Sequence, residues 1–254
     1  MTGATLYLVP ATLADVKDDQ SATLVAATLP RGTLDVIDSL EIFAVENAKS
    51  ARAFLKAAGV RRPIQGLTIC EIGHAPEAAM LQPLLTLLGA GRDVGLVSES
   101  GCPAVADPGA LLVRMAHEGN FRVVPLVGPS ALLLALMASG LDGQRFAFTG
   151  YLPVNPVERA NAIRQLEERS RRERETQIAI ETPYRNQALF DALAGALKSS
   201  TRLCVAVDLT LPGEAVVTRQ VAQWRSHPPA RLEKRPAVFL FLAAAEQAAR
   251  HASR

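Results

Sequence analysis

Residues 98–109, SESGCPAVADPG, place a thiol, two carboxylates and several small residues directly after an apolar run. Three roles fit this composition: a cysteine nucleophile, a cradle for a ligand, and a tight turn. A cysteine nucleophile needs a histidine partner, and none of the four histidines carries a local signature that links it to Cys102. Simple strand-to-helix turns need only two to six residues, so the length favours a ligand cradle. We expect Asp107 and Pro108 to start the helix that follows.

Polar residues also follow three other apolar runs. In open parallel sheets, ligands bind beyond the carboxyl ends of the strands. The segment ETPYRN (181–186) contains a proline, so it forms either a loop rim that offers Tyr184 and Arg185 or a helix entry capped by Asn186. The remaining candidates of this kind are Glu46 with Asn47 and Lys49, and Asp208 with Glu214.

Common nucleotide and metal motifs are absent from the sequence. There is no GxxxxGK[ST], and GAGRDVG (89–95) precedes a strand-like run where a dinucleotide-binding loop would follow one. The three cysteines, Cys70, Cys102 and Cys204, lie far apart. This spacing predicts neither a disulfide framework nor a zinc site.

Length and composition predict a globular protein with a large core. The 254 residues are 49% hydrophobic and 20% charged, with a net charge of +2 that permits nucleic-acid binding without arguing for it. The N-terminal segment lacks the features of a secretory signal, and the longest uncharged stretch is broken by prolines and glycines. We therefore expect a soluble cytoplasmic protein without a membrane segment.

An arginine-rich helix is expected from about residue 156 to residue 174. Its arginines are nearly balanced by glutamates, which is typical of a solvated face with ion pairs one helical turn apart. A second interpretation is contact with RNA through Arg169, Arg171, Arg172 and Arg174.

Short β-rich runs alternate with longer segments of helical period along the whole chain. Continuous apolar strands separated by helices favour parallel pairing, with both faces of the sheet covered. The pattern restarts after VGPS at 127–130. The sequence therefore predicts two α/β domains with largely parallel sheets, at residues 1–127 and 128–254.

Several of these motifs occur together, in an order typical of one family. They are LYLVP, VENAK, SESGCPAVADPG, FRVVPLVGPSA, RFAFTGYLP, IETPYR and DLTLPGE. Over roughly residues 5–242, the chain resembles the tetrapyrrole methylase-like (class III) S-adenosylmethionine methyltransferases. Within that family it is most similar to the branch that methylates a cytidine ribose of 16S ribosomal RNA at the 2′-oxygen.

The resemblance implies S-adenosylmethionine as the cofactor, bound in a cleft between two α/β domains, and usually a homodimer. The acceptor would be ribosomal RNA or the small ribosomal subunit. The implied cofactor-binding residues are Leu13, Ser100, Gly101, Cys102, Pro103, Val105, Ala106, Ser130, Ala131, Glu181, Pro236 and Val238. The candidates for catalysis are Lys49 and Glu46, and those for substrate binding are Asn47, Tyr184, Arg185 and Glu214.

Two segments depart from the pattern of that branch. Residues 11–18 read ATLADVKD, where the branch has a glycine-containing TPIGNLxD, and residues 46–49 read ENAK, where it has EDTR. These departures concern the methyl acceptor more than the cofactor, because arginine and lysine are not interchangeable at phosphate sites. Two alternatives follow: methylation of a tetrapyrrole or another small molecule, and a non-catalytic relative that only binds the cofactor.

Overall fold

A computed structural model describes residues 3–14 and 20–244 of the chain. The chain divides into two compact units, Met1–Ser130 and Ala131–Arg254. This division lies close to the expected boundary between residues 127 and 128. Each unit contains one five-stranded sheet.

The sheet of the first unit is entirely parallel, as expected, with the strand order β3-β2-β4-β1-β5. Its strands are β1 (Thr5–Val9), β2 (Ile42–Val45), β3 (Thr68–Glu71), β4 (Val94–Val97) and β5 (Arg122–Pro125). Every residue of β2 and β4 is buried. Covered faces on both sides explain why these strands are continuous apolar runs in the sequence.

Helices cover both faces of this sheet. They are α1 (Ser21–Thr28), α2 (Arg31–Ser39), α3 (Ala48–Ala57), α4 (Ala78–Gly89) and α5 (Ala110–Glu118), with a short 3-10 helix at Ile64–Gly66. Alternate residues of β2 point to opposite faces. Ile42 therefore packs in a core with the leucines of α4 and α5, whereas Phe43 packs in a second core with those of α2 and α3.

The sheet of the second unit is mixed, with the order β6-β7-β10-β8-β9. Its strands are β6 (Phe146–Tyr151), β7 (Thr176–Ile180), β8 (Arg202–Val207), β9 (Ala215–Gln220) and β10 (Ala237–Leu242). Only β6 and β7 pair in parallel, and the other three pairs are antiparallel. The prediction of a largely parallel sheet is therefore wrong for this unit. The loop between β8 and β9 is too short for a parallel crossover, so these strands form an antiparallel pair.

In the described part of the second unit the helices are α6 (Ala131–Ser139), α7 (Pro156–Glu173), α8 (Asn186–Ala196) and α9 (Val221–Ser226). The N-terminus of α7 is capped by Asn155 Oδ1, which accepts hydrogen bonds from the backbone N–H groups of Val157 (2.9 Å) and Glu158 (3.3 Å). In the core, Trp224 Nε1 donates to the carbonyl of Leu203 at 2.8 Å. Within the described residues, no helix is both long and apolar enough to cross a membrane.

The close packing of β4 against the α2–β2 connection yields a stability prediction. A Cβ atom at Gly95 would lie 2.9 Å from Leu40 Cδ1 and 3.0 Å from Phe43 Cδ1, and both side chains are buried. We expect Gly95→Ala to lower the free energy of unfolding by about 1–3 kcal/mol, because these neighbours must shift. Urea unfolding followed by circular dichroism measures the change.

Gly32→Ala is the matched control, because a Cβ atom at Gly32 in α2 meets no atom within 4 Å. It should leave the free energy of unfolding unchanged or raise it by about 0.5 kcal/mol. Equal effects of the two substitutions would contradict the packing described for Gly95.

Candidate active site

The carboxyl edge of the first sheet gathers most of the predicted site residues of this unit. Because all five strands are parallel, the loops that follow them emerge at the same edge. Leu13 follows β1, Glu46 and Lys49 follow β2, and residues 98–109 follow β4. Ser130 lies beyond β5 on this edge. The sequence candidates from separate loops are thus brought to one side of the sheet.

Three hydrogen bonds join the loop after β4 to the loop after β1. The backbone N–H of Ala11 donates to the carbonyl of Gly101 at 2.9 Å, and that of Gly101 donates to Thr12 O at 3.4 Å. The hydroxyl of Ser100 donates to Leu13 O at 3.1 Å. The two loops therefore form one surface.

Gly101 is the residue that allows this close approach. Its φ is +69°, in the left-handed region that favours glycine. A Cβ atom there would lie 3.2 Å from Leu13 Cδ2 and 3.4 Å from Pro129 O. Gly101 is buried and both of its backbone polar groups are hydrogen-bonded within the protein, so its contribution to a ligand site is the shape of the loop.

An open part of the loop is the turn at residues 104–106. Val105 is 46% exposed, and Ala106 is exposed beside it. Ala104 and Ala106 both have φ of +63°. Left-handed backbone costs about 1 kcal/mol for a residue with a Cβ atom, and such strain concentrates at functional sites. A ligand can touch this turn, and it can also touch the exposed residues Glu99 and Ser100 of the same loop.

The surroundings of Cys102 favour a structural role for its thiol over a catalytic one. Its Sγ donates to the carbonyl of Pro129 at 3.6 Å, and burial raises the pKa of the thiol. A raised pKa keeps the sulfur protonated, whereas nucleophilic cysteines need a lowered one. The geometry therefore favours packing over nucleophilic catalysis at this position.

The predicted start of the helix at Asp107 is wrong. Helix α5 begins at Ala110, and its N-cap is Gly109, with φ of +129°. Asp107 Oδ2 accepts a hydrogen bond from Ser98 Oγ at 2.5 Å, so its carboxylate closes the loop on itself. Desolvation raises the pKa of Asp107, and the hydrogen bonds from Ser98 and the backbone of Ser100 oppose this shift.

An acidic cluster lies at the ends of β2 and β4. Desolvation is the main cause that raises the pKa of Glu46, and the negative charges of Glu99 and Asp107 add to it. The imidazole of His74 forms an ion pair with the Glu46 carboxylate and opposes the shift. The hydroxyl of Ser50 donates to Glu99. Among the described residues, no group of acids, cysteines and histidines is arranged to hold a metal ion.

A cavity of about 70 Å³ opens beside Glu46, Ser50 and Glu99. Pockets that enclose a whole small molecule have volumes of about 300 Å³ or more. This cavity is therefore large enough for a reacting group only. A raised pKa beside such a cavity is typical of a carboxylate that exchanges protons during a reaction.

The sequence candidates next to Glu46 have different environments. Asn47 Oδ1 caps α3, accepting hydrogen bonds from the backbone N–H groups of Lys49 (2.9 Å) and Ser50 (3.2 Å). Lys49 is exposed, and within the described residues its side chain forms no ion pair with Glu46. The partner of Glu46 is His74, which sequence reasoning missed. Its position after β3, the strand next to β2, was the available signal.

The candidates of the second unit also share one sheet edge. β7 and β8 end there, and β9 and β10 begin there, as the pairs Ile180–Val238 and Val207–Ala237 show. This edge carries Glu181, Tyr184, Arg185, Glu214, Pro236 and Val238. Ala131 is the first residue of α6.

Ion pairs and hydrogen bonds order the loops at this second edge. Buried Glu181 accepts hydrogen bonds from Thr182 N and Arg185 Nη2, both at 2.7 Å. Glu214 Oε2 accepts from Thr210 N at 2.8 Å. Arg235 forms an ion pair with Asp208 at 2.7 Å.

Three buried polar atoms at this edge have no partner among the described residues: Arg185 Nε, Asn186 Oδ1 and Thr210 Oγ1. Asn186 is the first residue of α8, after the N-cap Arg185, and its Nδ2 donates to Arg235 O at 2.6 Å. Unpaired buried donors and acceptors are costly, so they suit a polar ligand. Tyr184 is 76% exposed next to them.

Comparison with known proteins identifies the family, although no family model matches the chain. A relative from Neisseria meningitidis serogroup B, named ribosomal RNA small subunit methyltransferase I, is 32% identical over 223 residues, which are 88% of this chain and 70% of that protein. The chain belongs to the ribosomal RNA small subunit methyltransferase I family.

Other relatives carry the same name. One from Xylella fastidiosa is 34% identical over 188 residues, and one from Escherichia coli O157:H7 is 29% identical over 211 residues. These matches cover 74% and 83% of this methyltransferase I family member. The chain spans 65% of the Xylella relative and 67% of the Escherichia relative.

Solved structures confirm the fold of this methyltransferase I family member. The methyltransferase CobJ has a TM-score of 0.60 at 16% identity, covering 95% of both chains. The cobalt precorrin-4 methyltransferase CbiF has a TM-score of 0.58 at 15% identity, covering 94% of both. The uroporphyrin-III-C-methyltransferase of Thermus thermophilus has a TM-score of 0.54 at 18% identity, covering 95% of this chain and 93% of that one. The chain therefore has the tetrapyrrole methylase fold.

The environment of Asp107 predicts how pH affects stability. Its folded-state pKa lies above the ordinary value of 3.8. The stabilisation linked to its proton is therefore complete below that value and is lost as pH rises through the folded-state pKa. Asp107→Asn cannot titrate, so its free energy of unfolding relative to the wild type should increase as pH rises from about 4 to 7. Urea unfolding at several pH values measures this difference.

Ser98→Ala serves as the internal control for this titration. It removes the hydroxyl that favours the ionised form of Asp107. The pH range over which the protein loses the stabilisation linked to the Asp107 proton should therefore move upward. A difference between Asp107→Asn and the wild type that stays constant with pH would contradict the assignment.

Proposed function

We propose that this protein is an S-adenosylmethionine-dependent methyltransferase that modifies 16S ribosomal RNA at a ribose 2′-oxygen. The observation that carries this proposal is the identity of 32% over 88% of the chain with a ribosomal RNA small subunit methyltransferase I. The site geometry agrees with it, because a shaped loop and an acid with a raised pKa share one sheet edge. No observation on the described residues favours a tetrapyrrole acceptor or a non-catalytic role.

Each unit by itself offers proposed cofactor contacts, which are small residues at the sheet edge of the first unit and polar atoms at that of the second. In the first unit the proposed contacts are Leu13, Ser100, Gly101, Cys102, Pro103, Val105, Ala106 and Ser130. In the second unit they are Ala131, Glu181, Pro236 and Val238. In the first unit the exposed turn at 104–106 offers an apolar surface to a ligand, and in the second unit the unpaired atoms of Arg185, Asn186 and Thr210 offer hydrogen-bonding groups. When bound, S-adenosylmethionine supplies an activated methyl group.

The proposed roles of the first-unit polar residues follow from their environments. A ribose hydroxyl is a weak nucleophile, and a nearby base accelerates its reaction. Glu46 is the proposed base, because its pKa is raised and it borders the cavity. Lys49, exposed on the first turn of α3, is the proposed cation for the RNA phosphate. Asn47 is a positioning residue, since its side chain caps α3.

In the second unit, Tyr184 and Arg185 are proposed to contact the RNA. An exposed aromatic ring offers a stacking surface to an unpaired base. The guanidinium of Arg185 is half-exposed and anchored by Glu181, so it is pre-oriented toward solvent anions. Glu214 is a positioning residue, because it accepts a hydrogen bond from Thr210 within the loop. The homodimer and the cytoplasmic location stay predictions.

Direct assays test the proposed function. Calorimetry should show binding of S-adenosylmethionine by the purified protein. Tritiated methyl groups should pass to small ribosomal subunits that lack the modification, and ribose analysis should place the label at a 2′-oxygen. Absence of cofactor binding, or transfer to uroporphyrinogen without transfer to ribosomal RNA, would contradict the proposal.

Glu46→Gln tests the general base. We expect kcat to fall about 100-fold with little change in S-adenosylmethionine affinity. The base must be deprotonated to act, so wild-type kcat should rise with pH through the folded-state pKa of Glu46, which lies above 4.5. In Glu46→Gln this acid limb should disappear.

Glu118→Gln is the matched control, because Glu118 is an exposed carboxylate at the end of α5. It should leave kcat and its pH profile unchanged. If the Glu46→Gln variant had the same kcat as the wild type, another group would accept the proton.

A further inference from the structure

A groove of about 500 Å³ runs between α7 and α8 in the second unit, and it begins at the first turns of both helices, which follow β6 and β7. Its walls are mostly alanines and Gly195, and its charged residues are Arg159, Arg164 and Asp191. Small side chains keep the groove open, and a Cβ atom at Gly195 would meet no atom within 4 Å. The groove therefore has room for a ligand beside two cations and one carboxylate.

Arg159 is the unusual residue of this groove. Its residue surface is only 9% exposed, and Nε is buried without a hydrogen-bond partner. Within the described ranges its guanidinium forms no ion pair. Charged groups are almost never buried unless they are paired. A buried arginine that borders a groove, with Nε unpaired and no ion pair among the described residues, favours an anion as the ligand of the groove.

Three arginines near the C-terminus of α7 differ from Arg159 because they form ion pairs. Arg169 and Glu175 form an ion pair at 2.9 Å, Arg172 and Glu173 form one at 2.8 Å, and Arg171 pairs with Glu168. Of the four arginines that the sequence suggested as RNA contacts, these three are paired with glutamates. Arg174, the C-cap of α7, is exposed and forms no ion pair among the described residues, so the difference that matters at Arg159 is its burial.

Arg164 adds a second cation to the groove. It is exposed, and its Nη2 donates to Asn161 Oδ1 at 2.8 Å, so it has no acidic partner in the described part of the chain. Asp191, on α8, accepts a hydrogen bond from Gln187 Nε2 at 3.0 Å. Arg159 also lies in the first turn of α7, where the helix dipole favours anions. Together these features favour a single compact anion.

We propose that Arg159 and Arg164 bind a backbone phosphate of the RNA substrate in this groove. The inference rests on the proposed function, since it takes ribosomal RNA as the substrate. Guanidinium groups match phosphate geometry with paired N–H donors. Phosphate contacts position a protein on RNA without reading its sequence. The groove would thus bind RNA through its backbone and not through its bases.

The test compares Arg159→Met with Arg172→Met. Both substitutions remove one positive charge from α7, but Arg172 is exposed and paired with Glu173. Binding of an unmodified 16S ribosomal RNA transcript is measured by filter binding at several KCl concentrations. We expect Arg159→Met to weaken binding about tenfold and to reduce the slope of log K against log salt by about one. Arg172→Met should change both by much less, and Arg164→Met should fall between the two.

Thermal unfolding separates a binding role from a structural one. Removing an unpaired buried charge relieves its desolvation, so Arg159→Met should keep or raise Tm. Weaker RNA binding together with a lowered Tm would assign a structural role to Arg159 and overturn the proposal. RNA binding equal to that of Arg172→Met would also overturn it. A changed oligomeric state in light scattering with unchanged RNA binding would identify a protein carboxylate as the anion, with the same consequence.

The outcome is distinguishable from failure of the proposed function. If the wild type methylates ribosomal RNA and Arg159→Met binds it normally, the inference fails and the function stands. If RNA binding depends on Arg159 but no methyl group is transferred, the inference stands and the proposed function fails.

Discussion

The junction between the loops after β1 and β4 is the constraint on which the candidate site depends. The hydrogen bond from Ala11 N to Gly101 O joins loops from two adjacent parallel strands. A residue with a Cβ atom would be strained at Gly101, because its φ is +69° and Leu13 Cδ2 would lie 3.2 Å from that atom. This junction fixes the position of the exposed turn at 104–106. The acidic ends of β2 and β4 lie beside each other because these two strands pair in parallel.

The site stores unfavourable energy that the rest of the unit must offset. Ala104 and Ala106 hold left-handed backbone, and the pKa values of Glu46 and Asp107 are raised by burial and by mutual repulsion. The fully buried strands β2 and β4 supply the rigid support for this arrangement. Strain and perturbed acids on a rigid sheet edge are expected of a site built for chemistry. In the second unit, the burial of Arg159 with its Nε unpaired is a similar energetic cost, and binding of an anion would offset it.

Sequence reasoning predicted the features that depend on local pattern. It predicted that the strands of the first unit pair in parallel, because strands buried on both faces have continuous apolar runs. It failed where the outcome depended on distant partners. A buried apolar strand looks the same in either direction, so the antiparallel pairs of β10 were not predicted. Asp107 accepts a hydrogen bond from Ser98 and does not cap the helix, and Glu46 pairs with His74. Both outcomes likewise depend on contacts between residues that are distant in the sequence.

The central claim is that residues 100–106, held against the loop after β1, form the surface that receives the cofactor. A crystal structure of the protein with S-adenosylhomocysteine, the demethylated product, tests it most directly. The account predicts that the ligand contacts the turn at 104–106 and the backbone beside Ser100 and Cys102, with its sulfur on the side of Glu46. Ligand density that touches none of these residues would contradict the claim.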